Sequence, residues 1–211
     1  MRMRKKPWAE PFLAEHNDVV LDDPSQMKGK WKEALHTDEL HVEIGMGKGD
    51  YVNQMAALNP SWGWVGIERD RSAAAVSARK LVEEPKANVL MIAKDAQAIE
   101  EWFAPKEIDV IHLNFSDPWP QNGYRKRRLS HAGFLAKYAG LLNDGGRIIM
   151  KTDNSGLFEF SLKEFTHNGY EIEQVWVDFR REEHPEDVIT EYETRFLELG
   201  QPIYRAIFVR K

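Results

Sequence analysis

Apolar residues in this chain fall into short runs separated by amphipathic stretches. LHVEIG (40–45), GWVGIE (63–68), NVLMIA (88–93), IDVIHLNF (108–115) and GRIIMKTD (146–153) read as strands. Helical patterns lie between them. Residues 50–58 end at Asn59-Pro60, RSAAAVSARKLVEE (71–84) stops at Pro85, and a short helix falls near 95–103. SHAGFLAKYAGLL (130–142) is closed by Asn143-Asp144-Gly145-Gly146, and LFEFSLKEFTHNG (157–169) has Gly169 as its stop. YEIEQVWVDF (170–179) and YRAIFVRK (204–211) read as the last two strands.

Strands alternating with helices require crossover connections, which predicts an α/β fold: a seven-stranded, mainly parallel sheet with helices on both faces. No full helix separates the last two strands, so an antiparallel edge is expected, with the last strand antiparallel. A length of 211 residues suits one domain over 1–211, with a basic N-terminal extension over about 1–35. There is no internal repeat, low-complexity tract or long linker.

Ligands of such sheets sit at the carboxyl ends of the strands. The first strand runs into Glu43-Ile44-Gly45-Met46-Gly47-Lys48-Gly49, where alternate glycines let the backbone pass close to a ligand. It is not the dinucleotide fingerprint, because Asp50 stands where a third glycine belongs, and it is not a P-loop. A plain tight turn is the competing reading. The second strand ends in Glu68, placed to accept hydrogen bonds from ribose hydroxyls, and the third is followed by Asp95, placed to meet an adenine amino group. A helix cap or solvated end is the alternative for each. Three such ends around one crevice suit a nucleoside. The missing pyrophosphate loop favours one without phosphates, such as S-adenosylmethionine.

The fourth strand leads into FSDPWPQNGYRKRR (115–128). Pro118 and Pro120 bias Asp117 and Trp119 toward extended geometry, so Asp117 is pre-positioned. A rigid structural turn is one reading. The other is a base site, with Trp119 as a stacking face and Asp117 accepting from N–H groups on a base edge. Arg125, Lys126, Arg127 and Arg128 could then hold phosphates, although a solvated face is the bland alternative.

Charge sharpens this picture. Lys and Arg number 29 against 34 Asp and Glu, a net charge of −5. The basic residues are uneven: Arg2, Arg4, Lys5 and Lys6 form one cluster and residues 125–128 the other. Local patches set phosphate attraction, because screening confines it to roughly 8–10 Å. Cysteine is absent, which excludes disulfides and cysteine-ligated zinc. The seven histidines show no HExxH-like spacing, so no metal is expected. No apolar run is long enough to span a bilayer, and the N-terminus has no apolar stretch after its charges. A cytoplasmic soluble protein is expected, and the Asn114-Phe115-Ser116 glycosylation triplet is read as chance.

The chain resembles the bacterial tRNA (guanine-N7-)-methyltransferases nearly end to end. The resemblance rests on the Glu-Ile-Gly-x-Gly-x-Gly turn, Gly66-Ile67-Glu68, Leu113-Asn114-Phe115-Ser116-Asp117-Pro118-Trp119-Pro120, Lys126-Arg127-Arg128, Lys151-Thr152-Asp153-Asn154, Thr190-Glu191-Tyr192-Glu193 and Gly200-Gln201-Pro202-Ile203-Tyr204. It implies a Rossmann-like class I fold, S-adenosylmethionine as methyl donor, and tRNA as substrate and partner, with no membrane or metal. A monomer and a homodimer are both compatible. It implies that Glu43, Gly45, Gly47, Glu68, Asp95 and Asp117 line the donor site, with Asp117 also catalytic. Gln121, Asp153, Thr190, Glu191, Tyr192 and Glu193 would bind the guanine. Gly123, Tyr124, Arg125, Lys126, Arg127 and Arg128 would contact RNA. The family usually has Lys at 121 and often His at 124; this chain has Gln121 and Tyr124. Gln121 can hydrogen-bond but cannot pair with a phosphate by charge.

Guanine N7 has an in-plane lone pair and no proton at neutral pH, so methylation there needs alignment and dryness rather than a general base. Asp117, Asp153 and Glu193 are expected at one mouth, holding the N–H edge of an extruded guanine. Two other classes stay open from the sequence. One is a methyltransferase acting on a protein or small molecule; the other is a non-catalytic RNA-binding subunit with a vestigial donor pocket.

Overall fold

The computed structural model describes residues 4–210. Arg2 of the first basic cluster and Lys211 of the last expected strand lie outside the described residues. In chain order the elements are α1 Ala9–Glu15, α2 Trp31–Ala34, β1 Glu39–Ile44, α3 Asp50–Leu58, β2 Trp62–Ile67, α4 Arg71–Glu83 and β3 Val89–Ile92. Then follow α5 Ile99–Trp102, β4 Ile108–Asn114, α6 Ala132–Leu141, β5 Leu142–Thr152, α7 Ser155–His167, β6 Tyr170–Trp176, α8 Glu191–Glu198 and β7 Tyr204–Arg210.

The strands form one seven-stranded sheet in the order β3-β2-β1-β4-β5-β7-β6. β1 pairs in parallel with β2 and β4, as does β2 with β3 and β4 with β5, while β7 is antiparallel to both neighbours. The expected α/β sheet is therefore present, with its last strand antiparallel. Three details differ from the sequence reading. β7 inserts between β5 and β6, so β6 lies at that edge and the antiparallel strand does not. The connection from β6 to β7 carries a helix, α8. The Asn143–Gly146 turn lies within β5 as a bulge: Ile108 pairs with Leu142, yet Val110 pairs with Arg147.

Alternation along the strands divides the core between the two faces. Leu40, Val42 and Ile44 of β1 pack with Val65, Ile67, Ile111, Leu113, Ile148 and Met150 against α2, α5, α6 and α7, including Trp31, Phe103, Tyr138 and Phe165. The opposite face packs Trp64 and Met91 against Tyr51, Val52 and Met55 of α3 and against Ala74, Ala75, Ala78 and Leu81 of α4. Small residues let α4 approach the sheet closely. This face also carries two buried histidines, His41 and His112, whose ring nitrogens lie 2.9 Å apart. Burial lowers both, His41 to about 3, so both are neutral imidazoles.

The first 35 residues are not a free arm where described. α1 packs on α4, with Ala9 and Leu13 buried. Val20 bridges to β3: Leu21 N–H donates to the Met91 carbonyl and Met91 N–H to the Val19 carbonyl, both at 2.9 Å. Trp31 is fully buried and its indole N–H donates to the Trp102 carbonyl at 2.9 Å. Among the described residues no helix is long and apolar enough to cross a membrane.

The strand order reverses between β1 and β4, and crevices open at such points, beyond the carboxyl ends of the strands.

Candidate active site

β1 and β2 end in register, Ile44 opposite Ile67, so the turn after β1 folds over the end of β2. The N–H groups of Gly45 and Met46 both donate to the Ile67 carbonyl, at 2.8 and 3.1 Å. Gly45, Gly47 and Gly49 have φ of 84°, 56° and 74°, a region that disfavours side chains. A Cβ on Gly45 or Gly47 would meet nothing within 4 Å, so their backbone stands bare toward open space. The open space is a cleft of about 1740 Å³ across the carboxyl ends of the strands.

Glu43 is buried on the floor of the cleft. Asn114, from β4, donates to its Oε1 at 2.9 Å, across the point where the strand order reverses. Among the described residues Glu43 Oε2 and Asn114 Oδ1 have no hydrogen-bond partner, and the Val52 backbone N–H exerts only a minor pull on the Glu43 carboxyl. Burial pushes the Glu43 carboxyl up to about 8, against the opposing pull of Asn114 and Lys151. A buried carboxyl without a partner at a cleft floor costs free energy until a ligand group meets it.

Glu68 is held differently. Its Oε2 accepts from Gly47 N–H at 3.0 Å and its Oε1 from Asp70 N–H at 2.7 Å, tying the glycine turn to the start of α4. Burial raises its pKa against these two bonds. Asp95 caps the turn Ala96–Ala98 through Gln97 N–H at 3.0 Å while lining the cleft, so the helix-cap reading is realised without removing it from the site.

At the end of β4 the chain stays paired one residue further, with Phe115 N–H donating to the Lys151 carbonyl at 2.8 Å. The Asp-Pro-Trp-Pro turn is stiff, but Trp119 is not extended: its φ is 40°, and Phe115 has φ 50°. Positive φ at bulky residues is strained and needs support from the surroundings. Arg128 supplies it, with Nε donating to the Pro118 carbonyl at 2.8 Å and Nη2 to the Trp119 carbonyl at 3.1 Å. Arg128, expected among the RNA contacts, is buried, lies over the Phe160 ring and braces the turn. Gly123, Tyr124, Arg125, Lys126 and Arg127 are exposed, in the helical turn Asn122–Arg127. Arg127 reaches back, its guanidinium carbon 5.0 Å from the Trp119 ring centre and 4.7 Å from that of Tyr124.

Asp117 is exposed at the cleft and pairs with Arg69, which follows Glu68: Nη2 to Oδ2 is 3.0 Å. Arg69 also lies over Trp119, 5.6 Å from the ring centre. Nothing in the local sequence marks Arg69; it meets Asp117 only because β2 and β4 flank β1.

Of the residues expected at the site, the structure gathers Glu43, Gly45, Gly47, Glu68, Asp95, Asp117, Asp153, Thr190, Glu191 and Tyr192 around this one cleft. Tyr192 packs on Phe115 with ring centres 5.0 Å apart, Glu191 reaches Lys48 at 3.7 Å, and burial raises the Asp153 carboxyl. Gln121 is exposed and does not line the cleft.

Glu193, expected beside Asp117 and Asp153, does not line the cleft. It is fully buried and points away from the cleft, into a cluster of four charges. Lys151 Nζ lies 2.6 Å from Asp187 Oδ2 and 3.1 Å from Glu193 Oε2, and Arg180 Nε lies 2.6 Å from Glu193 Oε1. Arg180 also pairs with Asp187, to which buried Tyr51 donates at 2.8 Å. Burial pushes Asp187 up, but Lys151 and Arg180 outweigh it and hold it low. Thr190 caps α8 by accepting from Glu193 N–H at 3.2 Å. The Thr190-x-x-Glu193 spacing is a helix-start signature, and it would have revealed α8. A lysine within an apolar strand, Lys151, signals buried counter-charges.

The bare glycine backbone and the unpartnered Glu43 oxygen fit a donor molecule with a cationic group and a nucleoside. Among the described residues no group of three or more His, Asp and Glu is arranged to hold a metal ion.

Comparison with known proteins adds to this geometry. A family model described as "Putative methyltransferase" matches residues 37–206. The chain is 44% identical over 206 residues to a tRNA (guanine-N(7)-)-methyltransferase of Oceanobacillus iheyensis, covering 97% of each. It is 42% identical to that of Bacillus subtilis, covering 98% of this chain and 97% of the relative. Among solved structures it is similar to the 16S rRNA methyltransferase KamB, with TM-score 0.66, 12% identity, and coverage of 87% of this chain and 93% of that one. An antibiotic-related methyltransferase gives TM-score 0.65 at 17% identity, covering 86% and 93%. At these identities the structural likeness concerns the fold.

Proposed function

The chain belongs to the tRNA (guanine-N(7)-)-methyltransferase family, and on that premise we propose how its residues serve the transfer of a methyl group from S-adenosylmethionine to N7 of a guanine in tRNA. The target is a variable-loop guanine, and the products are 7-methylguanosine and S-adenosylhomocysteine. The enzyme works in the cytoplasm. The observation that carries the reading is the meeting, in one cleft, of Glu43, the glycine turn, Glu68 and Asp95 with Asp117 and Trp119.

Glu43 offers its free oxygen to a cationic group, the bare backbone of Gly45 and Gly47 lies against the ligand, and Glu68 and Asp95 keep lone pairs for hydroxyl and amino donors. The bound donor supplies an electrophilic methyl group on a sulfonium. Asp117 accepts from the N–H edge of the guanine and faces the positive charge that develops on it. Asp153 stands at the same mouth, and Trp119 and Tyr192 give flat faces for the base. Glu193 acts one step back, anchoring α8 so that Thr190 and Tyr192 stay at the cleft. Gly123, Tyr124, Arg125, Lys126 and Arg127 meet the tRNA backbone, and Arg128 holds the turn from behind.

The reading is tested with labelled S-adenosylmethionine and unmodified tRNA transcript, followed by borohydride–aniline cleavage. Donor-dependent cleavage at one guanine is expected. Label uptake without cleavage would discard the N7 assignment, and tRNA binding without uptake would leave a binding subunit.

Two expected results arise here. Donor affinity should rise with pH between about 6 and 8, because a cation docks on the Glu43 carboxylate and the free protein holds that group protonated up to about 8. The slope approaches tenfold per pH unit, with proton release visible by calorimetry in two buffers, and Glu43→Gln should abolish it. The sign for folding is opposite: a raised carboxyl pKa favours the folded state below about 4.5, and that contribution is lost as pH climbs through 8. Second, tRNA affinity should fall steeply with salt, by roughly 0.7–0.9 log units per log unit of salt for each phosphate contacted. Replacing Arg125, Lys126 and Arg127 by Gln should flatten the slope by about two to three such contacts. A slope unchanged by the triple variant would remove this turn from RNA binding.

A further inference from the structure

Arg69 leaves the carboxyl end of β2 and reaches over the cleft to the turn after β4. Its Nη2 donates to Asp117 Oδ2 at 3.0 Å, and its guanidinium carbon lies 5.6 Å from the centre of the Trp119 ring. One guanidinium thus meets both the carboxylate and the indole that are read here as the seat of the target base. The chemistry of the occupant is telling. A guanidinium is planar and delocalised, with in-plane N–H donors and a flat face. The N1–C2–N2 edge of guanine has the same nitrogen–carbon–nitrogen donor pattern. Methylation at N7 makes guanine a planar cation as well, so Asp117 meets the same charge pattern in the product as in Arg69.

We propose that Arg69 is a placeholder for the target guanine, occupying the Asp117–Trp119 seat in the free protein and leaving it when the base arrives. The inference rests on the reading of that seat as the guanine site. Exposure supports ready release: the side chains of Arg69 and Asp117 are 53% and 62% exposed, and ion pairs this open change an equilibrium by less than about fivefold. The exchange also selects. A base with adjacent N–H donors on one edge replaces the bond that Asp117 loses, whereas a base presenting a ring acceptor there leaves the carboxylate without a donor. Arg69 is therefore a positioning and selecting residue rather than a catalytic one.

The test measures kcat and KM for unmodified tRNA transcript, and the salt dependence of tRNA affinity, in wild type, Arg69→Ala and Arg69→Gln. Both variants should melt as wild type does, since the side chain is exposed. Removing the placeholder should lower KM for tRNA roughly two- to fivefold, with kcat and the salt slope unchanged. A raised KM with a slope shallower by about one would make Arg69 a phosphate contact and overturn the proposal. A tenfold loss of kcat at constant KM would place it in the reaction itself. No change in any of the three would mark the ion pair as idle. If wild type itself forms no 7-methylguanosine, the reading of the seat fails first and takes the proposal with it.

Discussion

Asp117→Asn should lower the single-turnover rate of methyl transfer by roughly 100-fold or more while tRNA affinity stays within about twofold. The side chain is exposed and, among the described residues, its ion pair is with Arg69 alone, so the substitution should leave the fold intact and melting unchanged. Asn keeps an oxygen that can accept from the guanine N–H edge but carries no charge. It therefore removes the one feature matched to the reaction, negative charge facing a cation that exists only as the methyl group moves. Losing a preorganised electrostatic partner of that kind costs about 3–4 kcal/mol of barrier. Asp117→Ala should lose as much rate and, in addition, weaken seating of the guanine. Rapid-quench measurement with saturating enzyme separates the two effects from product release. Unchanged rates in both variants would take Asp117 out of the chemistry.

Glu193→Gln should act through stability. The cluster of Lys151, Arg180, Asp187 and Glu193 is almost wholly buried and balanced at two charges of each sign. Neutralising Glu193 leaves two cations sharing Asp187 in a dry site, and breaking a buried pair in this way costs about 3–5 kcal/mol. For a chain of this size each kcal/mol moves Tm by roughly 2–4 °C, so a drop of about 6–20 °C is expected. Because Glu193 ties α8 to β5 through Lys151, tRNA KM should also rise as Thr190 and Tyr192 lose their fixed place. The measurement is a thermal melt beside steady-state kinetics well below Tm. A large activity loss with an unchanged Tm would mean that Glu193 grips the guanine directly.

These two residues show what could be read from the chain and what could not. Asp117 lies at the end of an apolar strand, boxed by prolines, and its placement at a cleft-lining strand end follows from chain order alone. The same holds for Gly45, Gly47, Glu68 and Asp95, because each follows a strand within a few residues and parallel strands bring their ends together. Glu193 lies 42 residues from Lys151 and 13 from Arg180, and no local pattern says that its side chain turns inward. The bracing bonds of Arg128 are hidden from the sequence for the same reason. Beside three exposed cations it looks like one more, yet it is bonded to the two carbonyls of a strained turn.

The sequence by itself determined the α/β fold, the antiparallel last strand, the strand ends that line the cleft, and the family. Periodicity and punctuation are local signals, and the motifs are contiguous. The tertiary structure alone decided that β7 runs inside the sheet rather than at its edge, that Arg69 sits on Asp117 and Trp119, that Glu43 keeps an unpartnered oxygen, and that Glu193 and Arg128 are buried braces. Each of these depends on which distant side chains are pressed together once water is excluded, and the free energy of a buried charge is set by those partners rather than by its neighbours in the chain.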